Sequence, residues 1–373
     1  MRNAVETIAE QFHLRGTLLE VKSLAQGHIN DTYIITSKED GCVVRHLLQR
    51  INHEVFKDPA AMMDNILRVT KHIRMKMRRT DPELASRQLT VVRTDSGAGY
   101  SRDPEGNYWR VYDFVEHAAT YDTVDSTELA CEAARMFGWF QRMLDDLPGP
   151  ALHETIPNFH DTRLRFEQFQ EVLKEDPCNR AQAVRAEIDF LFENAGICDV
   201  LTDLVEKGEF PRRIAHNDAK INNVMFDERT HQGVCVIDLD TVMPGLSIYD
   251  FGDLARTAAN PAQEDEPDLS KVFLDISMFT ALARGFARET SRFLTPIEKD
   301  YLAFAGKLIT FEQFIRFLAD HLRGDVYYKI HRTGHNLDRS RTQMKLVQSI
   351  TEQEASMNEI VLKAFQEADV MNT

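Results

Sequence analysis

The chain has 373 residues, 43% hydrophobic and 28% charged, with only 17 Gly and 12 Pro, a composition that excludes collagen-like and low-complexity classes. Asp plus Glu number 59 against 44 Lys plus Arg, a formal charge of -15, which excludes a general role on nucleic acid or an anionic membrane. The length exceeds the roughly 250 to 300 residues at which one hydrophobic core stops growing, so two domains are expected.

The first segment, MRNAVETIAEQFHL, reads as an amphipathic helix and lacks the apolar centre of a signal peptide. No window approaches the roughly 18 apolar residues of a membrane span, so a soluble, cytoplasmic chain is expected. Five β-like runs follow from Leu18 to about Phe114: LLEVKSL, TYIITS, VVRHLLQRI, LTVVRT and WRVYDFV. They predict a five-stranded, mainly antiparallel sheet. Between the third and fourth runs, Met62, Ile66, Val69 and Ile73 recur at helical spacing, so one helix interrupts the sheet. Beyond Phe114 long amphipathic stretches such as TELACEAARMFGWFQRMLDDL dominate. Within them NNVMFD and GVCVIDL, separated by polar residues, predict one hairpin inside a helical region. The fold class is therefore α+β and bilobal, with a β-rich lobe over residues 1–116 and a mainly helical lobe over 117–373. Cys42, Cys131, Cys178, Cys198 and Cys235 are odd in number and contain no CxxC pair, so they are expected to be reduced, buried small hydrophobes.

The chemistry concentrates in HNDAKINNVMFDERTHQGVCVIDLDTVMPG, residues 216–245. His216 and Asp218 are followed by Asn223 five residues after that Asp, and by Asp238 at the end of the next apolar run. Phosphoryl transfer needs a carboxylate that takes the proton of an attacking hydroxyl and hard oxygen ligands for Mg²⁺. An isolated Asp at a strand end is ordinarily a turn former. The order H-x-D-x₄-N followed by a strand-borne Asp is what points to Asp218 as base and to Asn223 and Asp238 as metal ligands. Asp240, two residues further on, shares a face with Asp238 if the strand persists, and so joins the metal candidates. A small β-rich part followed by a helical part with one embedded hairpin is the plan of kinase-like folds.

These residues resemble the aminoglycoside phosphotransferase and choline kinase superfamily, whose H-x-D-x-x-x-x-N and I-D-x-[DE] motifs match His216 to Asn223 and Ile237 to Asp240. The blocks GHINDTY, WRVYDFVEH, NFHDTRLRFEQF, HNDAKINN, VIDLDTVMPG, YDFGDLAR and RFLADHLRGDVYY, in that order along nearly the whole chain, resemble bacterial N-acetylhexosamine 1-kinases. That resemblance implies a protein-kinase-like fold that uses ATP and Mg²⁺ to phosphorylate the anomeric hydroxyl of N-acetylglucosamine or N-acetylgalactosamine. It also implies that His28, Asn30, Arg316 and Tyr327 contact the sugar alongside Asp218. Ala219 departs from it, since similar sequences often carry Thr after the base.

On the nucleotide side, AQGHINDTY lies where a phosphate-covering turn belongs, which makes Gly27 and Thr32 candidates, although one Gly is not a G-x-G-x-x-G loop. The third run has no lysine to pair with the phosphates; Gln49 and Arg50 are the available groups, and as neighbours in a strand they face opposite ways. Phe114, Val115 and Glu116 are placed at the adenine edge by position alone. Asp250, Asp253 and Arg256 recur at helical spacing and are expected to support the catalytic loop through ion pairs and caps. Arg316 falls among Phe311, Phe314, Ile315 and Leu318 on a helix that must bury most of its surface, so its charge needs a partner. A kinase for another sugar, an aminoglycoside or choline would share the ATP motifs, and a silent sensing module would be expected to have lost one of Asp218, Asn223 and Asp238.

Overall fold

The computed structural model describes residues 4–24 and 30–371. In chain order the elements of the first part are α1 (Ala4–Ala9), β1 (Thr17–Leu24), β2 (Asp31–Glu39), β3 (Cys42–Ile51), α2 (Pro59–Thr80), α3 (Pro82–Ser86), β4 (Val91–Val92), β5 (Ser101–Arg102), β6 (Tyr108–Asp113) and β7 (Ala118–Ala119). Then come α4 (Thr127–Leu144), α5 (Thr162–Glu175), α6 (Arg185–Glu193), α7 (Val200–Glu206), β8 (Arg213–Ala215), β9 (Val224–Asp227), β10 (Gly233–Val236) and β11 (Met243–Gly245). The chain ends with α8 (Ser247–Ala258), α9 (Ile276–Thr290), α10 (Pro296–Asp300), α11 (Leu302–Arg323) and α12 (His335–Met371).

Two compact units result. One comprises Met1–Ala119, Asp146–Pro157 and Met225–Pro244; the other comprises Thr120–Asp145, Asn158–Val224 and Gly245–Thr373. The β-rich unit thus takes in two segments from beyond the cut expected at 116/117. The reason for one of them is local: β9 pairs with β7, and Val115, Val234 and Cys235 share an apolar cluster with Leu84 and Met225.

In the β-rich unit a six-stranded sheet runs β1-β2-β3-β6-β4, with β5 also on β6. The run LTVVRT contributes only Val91 and Val92 to it, because Thr94 is turned aside into a loop bonded to Ala98. Strand alternation sorts the sheet's faces. Tyr33, Ile35, Leu48, Trp109 and Val111 form one apolar cluster with Ile8, Ala9 and Phe12 of the α1 region. The opposite face carries the cross-strand row Thr32, Gln49 and Arg110. Helix α2 starts at Pro59 behind the Asp58 cap, whose side chain accepts from Ala61 N, as N-terminal capping favours.

The helical unit is organised by α11, buried on nearly every side: Phe311, Phe314, Ile315 and Leu318 pack with Phe169 and Val172 of α5 and with Ile188 and Leu191 of α6. Helix α8 lies close against α11 at Gly252, where an added Cβ would meet the Ala305 carbonyl oxygen at 2.5 Å. Among the described residues no helix is long and apolar enough to cross a membrane. All five cysteines are free, but only Cys198 and Cys235 are buried; Cys42 and Cys178 are exposed, which corrects the expectation that all five are core residues. Cys42 opens a strand beside a tight turn at Gly41, where solvent reaches the side chain.

Candidate active site

Strand β8 delivers the chain into the loop His216 to Asn223, which is held from beneath by α8. Asp250 is fully buried, and its carboxylate accepts from His216 N at 3.0 Å, Asn217 N at 2.8 Å and Gln141 Nε2 at 2.6 Å. Burial raises the Asp250 pKa, with His216 and the donors pulling the other way. Three N–H groups on one buried acceptor fix the path of the chain, because losing the carboxylate would take that acceptor from each of them. Asn217 has a φ of 65°, in the left-handed region that Asn tolerates better than most residues.

Asp218 follows directly. Lys220 Nζ lies 2.6 Å from its Oδ1, and Asn223 Nδ2 donates to the Asp218 carbonyl oxygen at 2.8 Å and stands 3.4 Å from Oδ2. Burial opposes ionisation of Asp218, but the Lys220 ammonium outweighs it and holds the carboxyl below the usual carboxylate range. Asp218 is therefore an ionised acceptor at neutral pH. With its N–H₂ turned to Asp218, Asn223 keeps its amide oxygen for another partner, and an amide oxygen is a ligand that hard cations accept. Arg256 pairs with Asp253 at 2.8 Å, as the helical spacing of YDFGDLAR predicts, and also with Glu264 at 3.0 Å from beyond the helix.

On α11, Arg316 has the partner that its apolar surroundings demand. Glu312, one turn earlier, lies 3.5 Å away, and the guanidinium sits 5.4 Å from the Phe159 ring centroid and 5.7 Å from that of Tyr328. Tyr327 lies in the electrostatic surroundings of Arg316 and is 61% exposed. The loop bearing both tyrosines hangs on Asp320, which accepts from Val326 N at 3.1 Å, Tyr327 N at 2.9 Å, Tyr328 N at 3.0 Å and Asn336 Nδ2 at 2.9 Å. Glu312 also receives His160 Nδ1 at 2.8 Å, and the other ring nitrogen, Nε2, lies 3.1 Å from the Asn217 carbonyl oxygen.

In the β-rich unit the alternation settles which of two neighbours faces the polar row. Gln49 Nε2 donates to Thr32 Oγ1 at 3.3 Å, and its Oε1 accepts from Arg110 Nε at 3.0 Å. Arg50 lies on the other face, paired with Asp31 at 2.7 Å. Arg110 and Asp240 form a bidentate, almost wholly buried pair, with the Nη2 to Oδ2 bond at 3.0 Å. Asn30 Nδ2 donates to the same Oδ2 at 2.9 Å, and Asn52 N donates to Asn30 Oδ1 at 2.9 Å. The strand does not persist to Asp240: β10 ends at Val236, Asp238 is left-handed with a φ of 60°, and Leu239–Thr241 is a 3₁₀ turn. Asp238 is exposed while Asp240 is buried, so the two carboxylates do not share a strand face. Glu116 is paired with Arg45, whose guanidinium also covers the Phe114 ring at 4.1 Å, and Val115 is buried. Gly27 and His28 lie outside the described residues.

The profile described as the phosphotransferase enzyme family matches residues 20–275, more than half of the chain. The chain belongs to the phosphotransferase enzyme family. In fold it is similar to an aminoglycoside phosphotransferase from Alicyclobacillus acidocaldarius subsp. acidocaldarius DSM 446, with a TM-score of 0.57 at 13% identity over 99% of this chain and 97% of that one. A choline/ethanolamine kinase family protein from Mesorhizobium loti gives 0.55 at 12% identity over 97% and 99%. A spectinomycin phosphotransferase solved with ADP and spectinomycin gives 0.51 at 12% identity over 98% and 99%. The β-rich region followed by a helical region is thus the fold of protein-kinase-like phosphotransferases. The chemistry of the family is ATP-dependent transfer to a small hydroxyl-bearing acceptor.

Four side chains of this phosphotransferase received no role from the sequence. Lys220 carried a signal, a base-flanking cation two residues after the candidate carboxylate. Glu312 carried another, a lone acid four residues before Arg316 in an apolar helix. Arg110 carried none, since its acid lies 130 positions away. His160 sits in a quoted block, but nothing in the pattern singles it out.

Proposed function

We propose that this phosphotransferase moves the γ-phosphoryl group of ATP to the anomeric hydroxyl of an N-acetylhexosamine. The observation that carries the choice of acceptor is the seat of Arg316. Quaternary ammonium groups are recognised over open aromatic faces, and the faces of Phe159 and Tyr328 are engaged by this guanidinium. The neighbouring acid, Glu312, is matched by His160 and Arg316. Guanidinium N–H groups and the Tyr327 hydroxyl suit the hydroxyls and acetamido carbonyl of a neutral sugar, and in this reading His28 and Asn30 complete the sugar contacts.

Asp218 accepts the anomeric O–H and takes its proton as the oxygen attacks the γ-phosphorus, and the bond to the β-γ bridging oxygen breaks to release ADP. Lys220 keeps Asp218 ionised for that task. Asn223, through its amide oxygen, and the exposed Asp238 are the donors for Mg²⁺, which when bound neutralises charge on the phosphates. Asp240 is left out of this ligand set, because both of its oxygens serve Arg110 and Asn30. Gly27, Thr32, Gln49 and the backbone from Phe114 to Glu116 serve the nucleotide.

The test is ADP release from ATP and Mg²⁺ with N-acetylglucosamine, N-acetylgalactosamine, glucose, choline and kanamycin offered separately, with phosphorus NMR on any product. An anomeric phosphate formed from an N-acetylhexosamine supports the reading. Turnover with choline or kanamycin alone would keep the Asp218 chemistry and discard the sugar.

A further inference from the structure

His160 joins the helix that carries Arg316 to the loop that carries Asp218, through one ring nitrogen on each. We propose that His160 is a positioning residue, which as an imidazolium clamps the Asn217 carbonyl to Glu312 and thereby sets the peptide plane from which Asp218 projects. The inference rests on Asp218 as the base.

The geometry requires two N–H groups on the ring. Glu312 Oε2 at 2.8 Å from Nδ1 is a carboxylate acceptor, and the Asn217 carbonyl at 3.1 Å from Nε2 can only accept. A neutral ring has one N–H and would set a lone pair against one of these oxygens. The clamp acts where the loop has little freedom left. Asn217 already gives its N–H to Asp250 and sits at positive φ, and its carbonyl belongs to the peptide that includes Asp218 N. Rotating that peptide would move the base relative to the acceptor, and a displacement of about 1 Å at a reacting centre can cost about 10²-fold in rate.

The groups facing the ring come from four directions. Glu312 and Arg316 face it from α11, Tyr249 from α8 at 4.9 Å between ring centroids, and Phe159 from the preceding loop at 4.6 Å; Arg165 of α5 acts on Glu312. Burial and Arg316 disfavour the charge, while Glu312 and the Asn217 carbonyl favour it and prevail, so the His160 pKa lies above that of an ordinary histidine. The sign follows: the clamp is complete below the raised pKa and is lost as pH rises through it, giving turnover an alkaline limb.

Two measurements test this. In protein labelled at histidine with ¹⁵N, the His160 ring should carry protons on both nitrogens at neutral pH and titrate above free histidine, and Glu312→Gln should lower that midpoint. With N-acetylglucosamine as acceptor, Glu312→Gln should move the alkaline limb of kcat to lower pH and regain turnover on the acid side. His160→Phe should lose about 10²-fold in kcat at every pH with the KM for ATP unchanged. A neutral ring at neutral pH, or an alkaline limb that ignores Glu312→Gln, overturns the proposal. If no acceptor is turned over, the functional reading fails by itself, while the ring titration still decides the state of His160.

Discussion

Arg110, buried in the β-rich unit, and Arg316, half-buried in the helical unit, are both cations set beside aromatic rings, and they are neutralised in different ways. Arg110 forms a bidentate pair with Asp240, its Nε goes to Gln49, and Asp240 is completed by Asn30. Each nitrogen of Arg110 and each oxygen of Asp240 has a protein partner there. Arg316 instead belongs to a chain that runs through Glu312 and His160 to the loop that carries Asp218, and on its other side it meets the Tyr328 ring, which packs against the exposed Tyr327. Glu312 Oε1 is buried and accepts no hydrogen bond, with Arg316 Nη1 3.5 Å away. A closed network of this kind holds structure, whereas an open one leaves bonding capacity for something that arrives.

The comparison can be broken by substitution, because open-network variants should be read in turnover and closed-network variants in stability. The largest effect is expected from Asp218→Asn, which should lower kcat by about 10²- to 10⁴-fold, the usual worth of a general base, while calorimetry still registers nucleotide binding. Near-normal turnover would remove Asp218 from its role. Next, Arg110→Met should cost about 3–5 kcal/mol in chemical denaturation by stranding a buried carboxylate, and adding Asp240→Leu should recover most of it. A double variant as unstable as the single one would mean that the pair is not closed. Arg316→Met should raise the acceptor KM by about 10- to 100-fold with little change in the melting temperature, as the loss of a charged hydrogen-bond donor predicts. An unchanged acceptor KM would place the substrate elsewhere.

The smallest effect concerns Glu298, a fully buried closed hub that accepts from Arg213 Nε at 2.7 Å, Ser247 Oγ at 2.7 Å and Thr295 N at 2.8 Å. Burial works against its charge, but Arg213 and the other donors hold its pKa below the ordinary value. A depressed carboxylate contributes stability above its unfolded pKa, and that contribution fades as pH falls through the folded pKa. Glu298→Gln should therefore cost about 1 kcal/mol at neutral pH and flatten the loss of stability on acidification. Denaturation midpoints across the acid range that parallel the parent would argue against it.

Strands such as TYIITS and VVRHLLQRI could be read directly, because their alternation is local and survives in β2 and β3. The end of β10 could not: the run GVCVIDL leaves open whether the strand persists to Asp240, a left-handed Asp238 breaks it, and positive φ leaves little trace at a residue other than Gly. In the candidate site, the spacing from His216 to Asn223 was legible since all its members lie on one loop. The pairing of Arg110 with Asp240 was not, because WRVYDFV reads as a half-exposed strand until the hairpin carrying Asp240 folds into the same unit. Arg316 was legible as a charge in need of a partner, and a helical spacing of four identifies Glu312 once that question is asked of the acid nearby. His160 stays silent in sequence because its meaning depends on two acceptors, 57 and 152 positions away.

Asp320 grips its loop only through the main-chain N–H groups of Val326, Tyr327 and Tyr328 and through the Asn336 amide. No side chain between 326 and 328 takes part in that grip; Val326 and Tyr327 are exposed, whereas the Tyr328 ring packs on Phe317 at 4.7 Å and its hydroxyl reaches Gln313 Oε1 at 3.4 Å. The tyrosine at 327 is therefore a replaceable part on a fixed mount. In the proposed reading, a lineage could exchange one acceptor for another through a single codon change at 327 while the helix, the aspartate and the loop that carries Asp218 stay as they are.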